Sequence, residues 1–267
     1  LKNIDSEPFA SVFYRDGRSA TLQVEEYVGK GVFNFPKNIE VLQDLIGLTT
    51  NDNDTILDFF GGSGSTAHAV IDMNKESGYR KFIIVQLPEI SEDSSKAFEA
   101  GYKTIADISK DRIRKVIKKI EKEKAENPDM FDNGKQDFGF KVFKLTSSNF
   151  KIWRGNEVNE DNLVQQLEAF TDPVHADSSL QNMLYELILK AGYQLTDKVE
   201  ETANYYSIAE GQLIIALKKL DKEIVAKIIA ANPKKVITLD NLFVGNDQLK
   251  TNTVLQMKDA EIDFKTI

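Results

Sequence analysis

The strongest constraint in this sequence is residues 55–70, TILDFFGGSGSTAHAV, where an apolar run meets a glycine cluster and then a helix-compatible segment. This order predicts a β-strand, a tight turn and an α-helix. Glycine permits backbone angles that other residues avoid, and it lets a ligand approach the main chain closely. The start of the following helix adds unpaired N–H groups, which suit a nucleotide-like ligand. A structural turn without a ligand would give the same pattern, so both interpretations stand at this point.

A second apolar run, residues 81–87 (KFIIVQL), ends at Pro88 and predicts another strand. Strand, helix and strand form the βαβ unit of a parallel sheet. Ligands of such sheets bind beyond the carboxyl ends of the strands, so residues 61–66 and residues 86–89 should face one crevice. An acceptor at the second strand's tip commonly holds ribose hydroxyls, and Gln86 and Glu89 are the two candidates.

The glycine spacing disfavours two common nucleotide sites. A P-loop would end in Gly-Lys-Ser/Thr, whereas this chain has Gly64-Ser65-Thr66 without a lysine. A dinucleotide site would show G-x-G-x-x-G, whereas the glycines here are Gly61, Gly62 and Gly64.

Composition excludes several classes of function. The chain has 267 residues, 41% of them hydrophobic, which suffices for one large or two modest domains. It contains no Cys, so disulfides, thiolate catalysis and Cys-based zinc sites are excluded, and its two histidines do not suggest a metal cluster. The net charge of −8 argues against a nucleic-acid binder that uses its whole surface, although a local basic face is compatible with it.

No segment has the length and apolarity of a membrane helix or the pattern of a signal peptide, so we expect a soluble chain, compatible with the cytoplasm. The sequence starts at Leu1, and we therefore expect a processed chain or a fragment of a longer one.

The remainder of the sequence up to about residue 155 predicts five further features. Asp16-Gly17 predicts a hairpin turn between residues 12–14 and 21–24, and Pro36 precedes an amphipathic helix. A long helix over residues 103–124 carries a basic side, which we interpret as a solvated face rather than a DNA-binding stripe; its members are Lys110, Arg112, Arg114, Lys115, Lys118 and Lys119. Residues 138–145 predict a strand, and Trp153 is interpreted as a packing anchor.

From about residue 156 the pattern predicts a second, small α/β domain. Its predicted helices are residues 160–170, 179–191, 221–231 and 246–257, and its predicted strands are residues 205–208, 212–217, 235–239 and 263–267. Asp172-Pro173 and His175 are expected in a loop, and no catalytic constellation follows from spacing in this half.

At this point the motifs can be matched to a family. DFFGGSGSTAHAV at 58–70 and RKFIIVQLPE at 80–89 closely resemble the S-adenosyl-L-methionine (AdoMet) motif of the modification (Mod) subunits of type III restriction-modification systems, which are DNA adenine-N6 methyltransferases. Further matching segments follow in the expected order along nearly the whole chain: RSATLQ at 18–23, FNFPKN at 33–38, GYKTIADISKDRI at 101–113, GFKVFKLTSSNFKIW at 139–153 and GNDQLKTN at 245–252.

The resemblance implies a set of cofactor-binding residues. The turn would wrap the methionine end of AdoMet through Asp58, Phe59, Phe60, Gly61, Gly62, Ser63, Gly64, Ser65 and Thr66. The start of the helix after residue 34 would line the same pocket through Phe35, Pro36, Lys37 and Asn38. Either Gln86 or Glu89 would hold the ribose. Family members usually have proline where this chain has Asn38, and most have alanine where it has Gly61.

One motif that the resemblance leads us to expect is missing from the sequence. The catalytic Asp-Pro-Pro-Tyr motif, which presents the flipped adenine in this family, does not occur in these residues, and Asp172-Pro173 and Glu7-Pro8 do not replace it. The resemblance therefore implies no catalytic residue and no metal in this chain, and we expect the chain alone to be inactive. Cytosine-C5 methylation is also excluded, because it needs a thiolate.

The expected fold is α/β, with a partial Rossmann-like AdoMet-dependent methyltransferase sheet plus a smaller C-terminal α/β domain. Residues 1–155 would be the AdoMet-binding half, with residues 1–30 as the tail of the target-recognition region, and residues 156–267 an interaction domain. Missing strands would leave an exposed sheet edge or require a partner chain. Implied partners are DNA through the full-length subunit, a second Mod subunit and the restriction (Res) subunit. The alternative is a non-enzymatic assembly module for Mod dimerisation or Res docking.

Overall fold

The computed structural model describes residues 12, 15–76, 78–127, 137–151, 159, 161–164, 167 and 173–267. The chain divides into two compact units, one ending at Phe140 and one beginning at Lys141. The division expected from the sequence lay between residues 155 and 156, which fall within the range 152–158 that the structure does not describe. Each unit combines helices with a sheet, which confirms the mixed α/β class.

The first unit is built around a parallel pair of strands. Its elements are α1 (Gly17–Val28), α2 (Ile39–Thr49), β1 (Thr55–Asp58), α3 (Ser65–Glu76), β2 (Lys81–Ile84), α4 (Lys96–Glu99) and α5 (Ile105–Glu126). Strands β1 and β2 pair in parallel, with Thr55 opposite Lys81 and Asp58 opposite Ile84. Helix α3 lies between them in sequence, so the predicted βαβ unit is confirmed.

The predicted hairpin around Asp16-Gly17 is wrong, because residues 17–28 form α1. Asp16 precedes the helix, and its Oδ1 accepts the N–H of Arg18 at 2.9 Å. Ala20, Val24 and Val28 follow at helical spacing and are buried. An aspartate before a glycine can start a turn or cap a helix, and here burial of the apolar stripe decides for the helix.

The predicted strand at residues 138–145 is also wrong, since these residues adopt no regular structure. Phe138 and Phe140 pack against the core of the first unit, while the ring of Phe143 lies 5.2 Å from that of Tyr185 in the second unit. The alternating aromatic residues are packing anchors, and no neighbouring strand among the described residues pairs with them.

Helix α3 carries the core of the first unit on two faces. Ala67 and Ile71 pack against α5, and Ala69 and Val70 pack against α2. The side of the strand pair that bears Ile56, Phe82 and Ile84 is partly buried against these clusters. The opposite side is apolar but exposed, through Leu57, Ile83 and Val85. Parallel strands are normally covered on both faces, so this exposed side is unusual.

Helix α5 begins with a capping box in which Thr104 and Asp107 bind each other's main-chain N–H groups. On its basic side, three lysines form ion pairs: Lys110 with Asp107, Lys115 with Asp111, and Lys119 with Glu26. This internal pairing favours a solvated face over a DNA-binding stripe. Arg112, which the sequence placed on that side, is completely buried instead.

The second unit is a five-stranded mixed sheet with helices on both faces. Its elements are α6 (Leu180–Lys190), β3 (Val199–Glu201), β4 (Tyr206–Ile208), β5 (Leu213–Ala216), α7 (Lys222–Ala230), β6 (Lys235–Thr238), a 3-10 helix (Asp240–Phe243), α8 (Asp247–Asp259) and β7 (Asp263–Thr266). The strands lie in the order β3-β4-β5-β6-β7, with the first two pairings antiparallel and the last two parallel.

Most elements of the second unit agree with the prediction. The three helices α6, α7 and α8 and the four strands β4 to β7 lie where the sequence placed them. Strand β3 was missed because Val199–Glu201 is short, charged and not buried. Trp153 and most of residues 160–170 lie outside the described residues. None of the described helices is both long and apolar enough to cross a membrane.

Glu186 on α6 binds Ser148 and Asn149, in the irregular segment that begins at Lys141. Its carboxylate accepts hydrogen bonds from Ser148 Oγ at 2.5 Å and from the N–H and Nδ2 of Asn149, both at 2.7 Å, and it pairs with Lys190 at 2.6 Å. Partial burial acts to raise the pKa of Glu186, but these donors together outweigh it and lower the pKa to about 2.

We expect Glu186→Gln to lower the free energy of unfolding at pH 7 by roughly 1–3 kcal/mol, because the charged acceptor of these hydrogen bonds is lost. The pKa lies below its usual value near 4.5, so the contribution is complete above that pH and is lost as the pH falls towards 2. Chemical denaturation at a series of pH values measures both effects. Glu200→Gln, at an exposed carboxylate, is the control and should cost under about 0.5 kcal/mol. Equal effects of the two substitutions would contradict the assignment.

Candidate functional site

The candidate site is the glycine turn, residues 58–66, at the carboxyl end of β1. Asp58, the last residue of β1, closes this turn with both carboxylate oxygens. One accepts the N–H of Phe60 at 2.9 Å, and the other accepts the hydroxyl of Thr66 at 2.6 Å. A single carboxylate thus connects the end of the strand with the first turn of α3.

Two glycines in the turn have positive φ angles, +52° at Gly62 and +76° at Gly64. The N–H of Gly64 donates to the carbonyl of Gly61 at 2.7 Å, which makes the turn tight. A Cβ at position 64 would lie 2.7 Å from Ser109 Oγ, so α5 approaches the turn as closely as a glycine permits. Backbone angle and space therefore both require glycine at position 64.

The tip of β2 is bound to the turn through Gln86. The Oε1 atom of Gln86 accepts the N–H of Gly62 at 2.7 Å, and its Nε2 atom donates to the carbonyl of Leu87 at 3.0 Å. The carbonyl of Val85 accepts the N–H of Gly61 at 3.1 Å. Glu89 is exposed, and its main-chain carbonyl accepts the N–H of Ile105 at the start of α5.

Beneath the turn lies Arg112, whose side chain is 0% exposed. Its Nη1 atom donates to Ser63 Oγ at 2.8 Å, to Ser65 Oγ at 2.9 Å and to the carbonyl of Ser63 at 3.3 Å. Its Nη2 atom lies 3.2 Å from Nδ1 of His68. Because a guanidinium can only donate, Nδ1 is the acceptor, and Nε2 of His68 carries the proton towards Asp72, 3.3 Å away.

Most of the polar side chains expected at the site are therefore engaged in holding the turn. Ser63 and Ser65 bind Arg112, Thr66 binds Asp58, and Gln86 binds Gly62. Among the described residues, no acceptor bonds to the N–H groups of Ser63, Ser65 and Thr66. The donors that remain for a ligand are main-chain N–H groups at the start of α3.

The predicted cofactor-binding residues 35–38 have different surroundings. Asn38 caps α2, because its Oδ1 accepts the N–H of Val41 at 3.2 Å, and its Nδ2 donates to Ser19. Phe35 has a φ of +55° and is 93% exposed. Phe33, two residues before this segment, lies next to the turn, since a Cβ at Gly62 would lie 3.4 Å from its ring. Pro36 is half-buried, while Lys37, Phe59 and Phe60 are exposed.

Three residues at the site were not identified from the sequence: Phe33, His68 and Arg112. A signal for Arg112 was present, because positions 108, 112 and 116 form one row on a helix, and Ile108 and Val116 are typical core residues. Both neighbours are buried, as is Arg112. Among the described residues, no group of His, Asp and Glu side chains lies close enough together to hold a metal ion.

Two clefts of about 250 and 310 Å³ adjoin each other between α1, α2, α3 and α5. Both are lined by Tyr27, Gln43, His68 and Asp72. None of the predicted cofactor-binding residues, all of which are described, lines either cleft.

The residues around the turn form a βαβ unit with a glycine-rich turn. Comparison with known proteins shows which protein family this part of the chain resembles. The DNA methylase family model (N6_N4_Mtase) matches residues 3–87, which include β1, the turn, α3 and β2.

Three proteins with similar sequences are all Mod subunits of type III restriction-modification enzymes. The EcoP15I Mod subunit of Escherichia coli is 30% identical over 276 residues, which cover 97% of this chain and 40% of the relative. The EcoPI Mod subunit of Escherichia phage P1 is 29% identical over 95% of this chain and 40% of its own length. The StyLTI Mod subunit of Salmonella typhimurium is 34% identical over 58% of this chain and 24% of its own length.

The chain is therefore homologous to type III Mod subunits over nearly its whole length, which confirms the resemblance drawn from the motifs. It spans about 40% of the length of the first two of these relatives.

We expect Gly64→Ala to destabilise the protein more than Gly101→Ala. Both glycines have positive φ angles, but a Cβ at position 101 meets nothing within 4 Å. The matched control therefore isolates the backbone strain, about 1 kcal/mol. Gly64→Ala should cost a further 1–3 kcal/mol or so from the contact with Ser109. Chemical denaturation measures both, and Ser109→Ala in the Gly64→Ala background should recover part of the loss. Equal costs for the two glycines would refute the close approach.

Proposed function

We propose that this chain is the AdoMet-binding, C-terminal part of a type III restriction-modification DNA adenine-N6 methyltransferase. The observation that carries the proposal is the set of main-chain N–H groups at Ser63, Ser65 and Thr66, which lack acceptors within the described residues and lie where β1 ends and α3 begins. Homology to DNA methylases and Mod subunits supports AdoMet as the ligand of this turn. A Rossmann-like arrangement of the full sheet is part of the same proposal.

The chemistry of the turn suits AdoMet. The cofactor supplies an activated methyl group on its sulfonium, and its carboxylate is an anion of the kind that helix N-termini bind. The exposed rings of Phe35 and Phe60 would provide apolar surface for the adenine. Gly62 and Gly64 let the ligand approach the main chain without meeting a side chain.

For the ribose we propose Glu89 rather than Gln86. The amide of Gln86 is occupied on both sides, by the N–H of Gly62 and the carbonyl of Leu87. A carboxylate can accept from two hydroxyls at once, and that of Glu89 lies on an exposed residue after the β2 tip. Gln86 would instead shape the turn that the ligand contacts.

We propose that methyl transfer needs polypeptide beyond these residues, because the Asp-Pro-Pro-Tyr motif is absent from them and transfer requires the adenine amine to be aimed at the methyl group. The exposed apolar side of the β1–β2 pair supports further polypeptide that packs over this face. DNA is the proposed partner of the full-length, cytoplasmic enzyme, and the chain alone would be inactive.

Isothermal titration calorimetry with AdoMet tests the proposal, using this chain and the full-length product of its gene. We expect binding, and we expect Glu89→Ala to weaken it about tenfold or more without changing the melting temperature, since a charged acceptor is lost from the surface. Gln86→Ala should lower the melting temperature, because the N–H of Gly62 loses its acceptor. Glu92→Ala, at an exposed carboxylate nearby, is the control for Glu89. Absence of binding in both proteins would favour the non-enzymatic assembly module.

The second unit is proposed to be an interaction domain for Mod dimerisation or for docking of the Res subunit. Its sheet and helices enclose two apolar cores of their own, so it can fold as an independent module. Homology to Mod subunits continues through this unit in two relatives, which supports a role shared with them.

Deletion of residues 141–267 should abolish capture of the Res subunit, or dimerisation, while leaving the first unit folded. Affinity pull-down with the Res subunit and light scattering measure the two interactions, and circular dichroism verifies the remaining fold. If both interactions survive the deletion, the second unit is not the interaction domain.

A further inference from the structure

The buried Arg112 stands out because its charge has no partner carboxylate. Among the described residues no Asp or Glu forms an ion pair with it; its hydrogen bonds go to Ser63, Ser65 and His68. The nearest negative charge in this network is Asp72, reached only through the ring of His68. A buried charge without a counter-ion is costly, and function is a common reason for one to be retained.

The guanidinium remains charged at neutral pH. Burial lowers its pKa to about 10, and the nearby Tyr27 and Asp72 act in the opposite direction. A positive charge therefore lies directly beneath the turn, shielded from water by the packing of α3 and α5. In such surroundings electrostatic interactions are stronger than in water.

Arg112 also determines which atoms of the turn are left for a ligand. It binds the carbonyl of Ser63 and the hydroxyls of Ser63 and Ser65, so three acceptor atoms of the turn are directed to the guanidinium. The N–H groups of Ser63, Ser65 and Thr66 keep no acceptor within the described part of the chain. The turn therefore offers donors above a positive charge, and both properties favour a ligand group that is anionic and only accepts.

We propose that Arg112 is a positioning residue that makes the turn selective for the carboxylate of the cofactor's amino-acid end. It does so without touching the ligand, by its charge and by holding the acceptors of Ser63 and Ser65 away from the binding side. This inference rests on the proposed function, because it takes the turn as the site for the methionine end of AdoMet.

The test compares two ligands that differ only in that carboxylate. S-adenosylhomocysteine and its decarboxylated form share adenosine, thioether and amine. Calorimetry with the full-length protein should show that the wild type binds S-adenosylhomocysteine at least tenfold more tightly than the decarboxylated ligand. Arg112→Met should reduce this preference to less than about threefold, mainly by lowering the affinity for S-adenosylhomocysteine, the ligand that carries the carboxylate. Arg112→Lys, which keeps the charge, should retain most of the preference.

Arg114→Met is the matched control. It removes the same charge from the same helix two positions on, where the guanidinium is exposed and lies over the ring of Phe140, and it should leave the preference unchanged within twofold. Circular dichroism establishes that each variant is folded. If Arg112→Met does not fold, Arg112→Lys is compared with Arg112→Gln, which keeps a hydrogen-bond donor but has no charge. The preference for the ligand with the carboxylate should then be larger in Arg112→Lys than in Arg112→Gln.

Each outcome separates the inference from the proposed function. If Arg112→Met lowers the affinity for both ligands by the same factor, Arg112 only supports the fold and the inference is overturned. If the wild type binds both ligands with equal affinity, the inference is overturned whatever the variants do. If the wild type binds neither, the proposed function fails as well.

Discussion

The contact between the Arg112 guanidinium and the glycine turn is the interaction on which the first unit depends. One side chain connects α5 to both serines of the turn and, through His68, to the middle of α3. The approach is close because position 64 has no side chain, which lets Ser109 lie against the turn. The turn conformation, the packing of α3 on α5 and the location of the charge therefore form one arrangement, and a change in any of them affects the others.

This arrangement divides the residues of the site into two groups. Asp58, Thr66 and Gln86 hold the turn by hydrogen bonds among themselves and to its main chain. The atoms that remain for a ligand belong to the main chain and to exposed residues such as Phe60 and Glu89. A preformed turn of this kind loses little conformational freedom when a ligand binds, which favours affinity. Asn38 likewise has a structural role, because its side chain caps α2.

The sequence predicted the features that depend on neighbouring residues and missed those that depend on distant ones. The strand, turn and helix at residues 55–76 follow from local apolar runs and glycines, and so do β4 to β7 in the second unit. The hairpin prediction failed because Asp16 can cap a helix as well as start a turn. The strand prediction at residues 138–145 failed because a strand requires a partner, and alternating aromatic residues do not reveal one. Arg112 was missed because its charge was taken as evidence of exposure, although its helical row is otherwise buried.

The exposed apolar side of the β1–β2 pair connects the fold to the proposed function. Leu57, Ile83 and Val85 alternate along the strands with residues that face the helices, which is the pattern of strands buried on both sides. Left open, such a surface favours association. Relatives of about two and a half times the matched length contain further polypeptide that could supply the cover, since the match spans 40% of each. Under the proposed function, the polypeptide that presents the target adenine to the turn would also lie outside the described residues, so it is a candidate for the cover of this face.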